Sequence, residues 1–311
     1  MEYLFDTNIY RNLVRTLSLD EIPNYVEELK IKEDARDIKA GFSIVVAMEL
    51  IKHLEKEDPM AEECFKALCL LVFHTQRYNQ ETNSFSGKFY PPLNVVLTKH
   101  FFETDSIYLN LYFQVLDTAH NLTYNYESSN CQSLQNEILA IKSQVLFEKQ
   151  QLKSNIENFI SSLNQGKLDW KYFKSNNRER KKWFNSLNTG RSTYLIAFAL
   201  MKRAYQIMEV EIFRPDAEEK FNSFYNQYYP ALLMNELLLE QIGHGTEALS
   251  DINDKRWNTI NDVSIMFGML YRSDELDKVL VTEEDKIREC FQMLGQGRRA
   301  INLNEFIELT S

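Results

Sequence analysis

The stretch MEYLFDTNIYRNL, residues 1–13, decides how the rest of the chain is read. Tyr3, Leu4 and Phe5 are strand formers in a run of strand length. Thr7 and Asn8 are cap-type residues, and Ile9, Leu13 and Leu17 then recur at helical spacing. Asp6 stands at the junction. Its plainest role is an N-cap. A carboxylate at the carboxyl end of a strand is also where open α/β sheets place ligand chemistry, so its role depends on what else reaches that strand end.

Working outward, IKAGFSIVVAMELIKHLEKEDP (38–59) predicts a strand ending at Gly41–Phe42 and a helix capped by Ser43. Val45, Met48, Ile51 and Leu54 form that helix's apolar stripe, and Glu49 sits at its edge. Near the other end, DKRWNTINDVSIMFGMLYRS (254–273) reads as a helix with Asp262 in its first half. DKVLVTEEDKIRECFQML (277–294) reads as a buried strand, Val279 to Val281, turning at Thr282 into a helix. INLNEFIEL (301–309) adds a short strand and a helical turn. Alternating strands and helices predict a parallel sheet. The expected fold is α/β, its parallel-sheet core formed by both ends of the chain, 1–58 and 250–311.

Residues 59–249 have a different texture, rich in Leu, Phe, Tyr, Asn and Gln. They predict a mostly α-helical insertion. In SLQNEILAIKSQVLFEKQQLKSNIENFISSL (133–163), Ile138, Val145, Leu152 and Phe159 lie seven apart, the pattern of one long amphipathic helix packed on others. RYNQETNSFSGKFYPPL (77–93) reads as a loop.

Among 311 residues, 9 Gly and 6 Pro argue for long helices and few tight turns. Cys64, Cys69, Cys131 and Cys290 show no CxxC pair and read as small buried hydrophobes in a reducing compartment. No run reaches the 18 or so apolar residues of a membrane span, and no basic-then-apolar leader opens the chain. A cytoplasmic protein with no membrane partner is the expectation.

The elements FDTN (5–8), Glu49 in an apolar helix, DVSIM (262–266), LVTEED (280–285) and INLNEF (301–306) together resemble the PIN domain nucleases. In that family an Asp in a D-[TS]-[NS] element, a helical Glu, a helical Asp and an Asp following a late strand and Thr surround one or two divalent metals. The resemblance implies a PIN-like core and a catalytic, metal-holding set of Asp6, Glu49, Asp262 and Glu284. Asp285 competes for the fourth place, and Thr7, Asn8 and Thr282 support the carboxylates. Mg²⁺ or Mn²⁺ is the implied cofactor, suiting all-oxygen ligands, and RNA the implied substrate. This chain departs from the family in its insertion of roughly 190 residues and in Glu where the fourth acid is usually Asp. The alternative is a PIN-like scaffold without catalysis that binds nucleic acid or protein.

LDWKYFKSNNRERKKWFNSLNTGR (168–191) interleaves bases with aromatics. Lys171, Lys174, Arg178, Arg180, Lys181 and Lys182 offer charge to phosphates, and Trp183 and its aromatic neighbours offer surfaces for bases. That combination suits a single-stranded track; aromatics at helical spacing equally suit a core. The net charge of −10 is set against this local patch. The insertion can also hold a protein partner or build a homo-oligomer. His53, one turn past Glu49, reads as a histidine satisfied by a neighbour.

Overall fold

The computed structural model describes residues 1–55, 57–79, 84–104, 109–124, 134–245, 247–271 and 277–310. The chain divides into two compact units. One comprises residues 1–96, 107–145 and 265–311, the other residues 97–106 and 146–264.

The first unit is α/β. Its opening segment runs β1 (Glu2–Phe5), α1 (Thr7–Val14), α2 (Ile22–Asp34), β2 (Lys39–Ser43), α3 (Ile44–Ile51) and α4 (Ala61–Thr75). A short antiparallel hairpin of β3 (Arg77–Asn79) and β4 (Ser84–Ser86) leads to β5 (Lys88–Tyr90). The last segment adds β6 (Lys278–Val281), the helix Asp285–Gln292, β7 (Ala300–Ile301) and the helix Leu303–Thr310. Five strands form one sheet in the order β5-β2-β1-β6-β7, with every neighbouring pair parallel. β1 is central. It pairs with β2 on one side and, in the register Glu2↔Lys278 to Phe5↔Val281, with β6 on the other.

The sequences of these strands explain their place. EYLF and KVLV are buried along their whole length, as parallel strands covered on both faces must be. Tyr3 and Phe5 pack on Phe306 of the closing helix, with ring centroids 4.6 and 5.0 Å apart, and Phe5 meets Tyr10 of α1 at 5.3 Å. Each such fully buried aromatic contributes roughly 2–3 kcal/mol relative to exposure. α4 is apolar on most of its surface because it packs against α1, α2 and α3. Cys64, Cys69 and Cys290 are buried and free; Cys131 lies outside the described residues.

Where a loop was expected at 77–93, the structure has β3, β4 and β5. The sheet therefore takes an edge strand from beyond residue 58. KFY is only three residues long and is followed by two prolines, too short to show a period and easily read as a loop. Gly41 makes the pairing possible, since a Cβ there would overlap the ring of Tyr90 on β5. Residues 80–83 of the same stretch lie outside the described residues.

The second unit is helical among its described residues. Its main helices are Asn177–Asn188, Arg191–Ile207, Ala217–Gln227 and Tyr229–Gly243. The expected long helix exists as Gln135–Leu163, and the division between units falls within it. Ile156, Ile160, Trp170, Phe173, Ile242 and Trp257 belong to one buried cluster. Among the described residues, no helix is long and apolar enough to cross a membrane.

Candidate functional site

β1 ends at Phe5, and the next residue both starts α1 and closes the strand. Asp6 takes extended backbone angles, and its Oδ1 accepts from the N–H of Ile9 at 2.8 Å. The cap role is therefore real. Its other oxygen, Oδ2, accepts from the hydroxyl of Thr282, just past the end of β6. The backbone ties the same two strand ends, Asp6 N–H donating to the carbonyl of Val281 at 3.1 Å. This is the crevice where the sheet order reverses, β2 and β5 lying to one side of β1 and β6 and β7 to the other.

Two further carboxylates face this point. Glu49 sits near the end of α3, where its Oε2 accepts from the hydroxyl of Thr7 and its Oε1 lies 3.9 Å from Lys52 Nζ. Glu284 caps the Asp285–Gln292 helix and is anchored by its N–H donating to Thr282 Oγ1 at 3.0 Å. Burial pushes the Asp6 carboxyl up to about 7, and the charges of Glu284 and Glu49 add to that rise. The hydrogen bonds from Thr282 and Ile9 oppose it. Thr282 itself is fully buried, so its hydroxyl is a fixed donor to Asp6 and a fixed acceptor for Glu284.

Asp6 thus lies in the fields of Glu49 and Glu284, with Thr7 bonded to Glu49 and Thr282 to Asp6. Asn8 is half-buried in the first turn of α1. Asp285 points elsewhere: its carboxylate is 78% exposed and paired with Arg288. Asp262 is half-buried in the first turn of the Thr259–Leu270 helix, on the part of that helix grouped with the second unit. His53 pairs with Asp58 at 2.8 Å. Lys52 was missed from sequence; its position three residues after Glu49, one helical turn on, was the available signal.

An all-oxygen donor set is of the kind a hard divalent cation takes, and Asp6 within it is raised chiefly by burial. Among the described residues, no three His, Cys, Asp or Glu side chains form a group that could hold a metal ion.

The basic segment 168–191 lies in the second unit. Lys171 pairs with Glu247 at 2.6 Å and Lys182 with Glu179 at 2.7 Å. Arg180 reaches His244 and stands over the ring of Phe184. Lys174, Arg178 and Lys181 are exposed. Trp183 stacks on Phe173 with centroids 5.2 Å apart and donates from Nε1 to the carbonyl of Leu239 at 3.0 Å, so its ring is committed to the unit's own packing.

No family model, no curated protein and no solved structure matches the chain.

Proposed function

We propose that the chain is a divalent-cation-dependent phosphodiester hydrolase with a PIN-like core, acting on RNA. One observation carries this reading. Asp6, Glu49 and Glu284 come from three separate elements near the ends of β1 and β6, and the charges of the other two add to the rise that burial imposes on the Asp6 carboxyl. Stability alone gives no reason to gather like charges there.

In this reading Asp6 holds the ion directly, while Glu49 and Glu284 bind its waters or orient the attacking one. When bound, Mg²⁺ or Mn²⁺ supplies polarisation of the phosphoryl oxygen and a more acidic water. The chain's own residues do the rest. Asp6 surrenders its proton readily around neutral pH, Thr282 fixes the direction of its free lone pairs, and Thr7 does the same for Glu49. Lys52 offsets part of the charge on Glu49 and leaves a cationic group beside the crevice for a phosphate.

Manganese titration followed by thermal melting tests the ion. At 100 times its Kd it should stabilise the wild type by about 2.7 kcal/mol, and Asp6→Asn should remove most of that gain. Cleavage of a labelled single-stranded RNA tests the reaction. Equal cleavage by wild type and Asp6→Asn would end the catalytic assignment. The alternative reading, a catalytically silent PIN-like scaffold, requires no manganese stabilisation and no cleavage.

A further inference from the structure

The 168–191 segment carries seven Lys and Arg against two acids in a chain whose net charge is −10. Such an excess needs a partner or a reason. Internal pairing accounts for part of it: Lys171 with Glu247, Lys182 with Glu179, and Arg180 with His244 and Phe184. Lys174, Arg178, Lys181 and, at the start of the next helix, Arg191 are exposed and have no ion-pair partner among the described residues. Arg178 and Lys181 are one turn apart on the Asn177–Asn188 helix, so they share a face.

The aromatics of the same segment are turned the other way. Trp170 is 9% exposed and sits edge-on to Trp257 at 6.2 Å. Phe173 is 2% exposed and stacks on Trp183. Tyr172 donates to the carbonyl of Leu163 at 3.0 Å, and Phe184 lies 5.0 Å from His244. The close approach of Gly243 locks two of them, since a Cβ there would stand 2.5 Å from Trp183 Cδ1 and 3.1 Å from Phe184 Cζ. Base stacking requires an open ring face; those of Trp170, Phe173 and Trp183 are taken up by their neighbours, and Tyr172 and Phe184 are half-buried.

We infer that this face grips the sugar-phosphate chain alone, without stacking on bases, so that it takes RNA of any sequence, paired as well as unpaired. The choice of RNA rests on the hydrolase reading; the mode of contact does not. A surface that presents cations and withholds its aromatic rings gains from phosphate density and counterion release, and nothing in that gain depends on which base follows.

The test is fluorescence anisotropy in EDTA, which separates binding from cleavage, with Asp6→Asn as a second safeguard. The probes are 20-nucleotide oligo(U), a mixed-sequence strand and a 20-base-pair RNA duplex. Oligo(U) and the mixed strand should bind within about three-fold of each other, and the duplex no more weakly than either. With three phosphate contacts the salt slope is about −2 for single strands and −2.7 for the duplex, so raising salt from 50 to 200 mM should weaken binding roughly twenty-fold and forty-fold. The triple reversal Lys174→Glu, Arg178→Glu, Lys181→Glu, checked for an unchanged melting temperature, should abolish binding by both. Should it perturb folding, the triple Gln variant serves in its place and should flatten the salt slope. Tryptophan emission should stay unquenched at saturation. Quenching by single strands with failure of the duplex to bind would overturn the inference, as would undiminished binding by the charge variants. Binding without cleavage in magnesium or manganese would instead remove the hydrolase and leave this contact mode standing.

Discussion

The two oxygens of Asp6 are committed to different neighbours, one to the start of α1 and one to Thr282, and that division has measurable consequences. Folding raises this carboxyl from its ordinary 3.8 to about 7. A raised carboxyl binds its proton more tightly in the native state, so its contribution to stability is complete below about pH 4 and is lost as pH climbs through 7. The full loss is on the order of 4 kcal/mol. Without metal, the unfolding free energy of the wild type minus that of Asp6→Asn should therefore fall between pH 4 and 7 and level off above. A flat difference would show that Asp6 ionises normally. Apparent manganese affinity should move in the opposite sense, rising about ten-fold per pH unit up to 7, because the ion must displace that proton. Thr282→Val removes a donor that holds the carboxyl down, so it should shift both profiles to higher pH and reduce any cleavage measured at pH 7. Profiles that do not move would deny Thr282 its place in the centre.

Among the elements, the helix Tyr229–Gly243 is sensitive to a small change at its last residue. Replacing Gly with Ala in a helix usually gains up to about 1 kcal/mol. At Gly243 the sign should invert, because the new methyl meets Trp183, a ring fixed by stacking and by its bond to Leu239. Gly243→Ala should cost roughly 1–3 kcal/mol in urea unfolding and shift the tryptophan emission. A neutral or stabilising result would mean that Trp183 is looser than its contacts indicate. The same helix scale separates what could be read from sequence from what could not. β1, β2 and β6, the Ser43 cap and the turn at Thr282 were legible because each declares itself within a few residues, by an apolar run, a cap or a punctuating Thr. β5 was not, since three residues carry no period and its status depends on β2 beside it. The orientation of Trp183 and its neighbours was undecidable for another reason: helical spacing puts aromatics on one face without saying whether that face is covered. Likewise, that Glu284 rather than Asp285 acts on Asp6 depends on the cap geometry, which two adjacent acids in sequence cannot reveal.

Across the whole molecule, the first unit closes only by pairing its earliest strand with one of its latest. β1 pairs with β6 along its whole length, and Tyr3 and Phe5 draw on Phe306 for packing. Truncation after Asp277 should therefore cost far more than the loss of its own residues. Hydrogen exchange at residues 2–5, slow in the full chain, should become fast, and cooperative unfolding of the first unit should disappear. Retained protection at those amides would mean that β1 and β2 fold by themselves. Such distant pairing also predicts slow folding for a protein so rich in helix. The bond between Thr282 and Asp6 spans 276 positions, and it sets a schedule for biosynthesis. A nascent chain carries Asp6 and Glu49 early, yet it has no Thr282 to aim the first of them and no Glu284 to complete the set. The proposed hydrolytic centre cannot switch on while the ribosome is still extending the polypeptide toward its final strands. On the hydrolase reading, premature termination upstream of that threonine should leave an inert fragment, with translation itself as the safety catch.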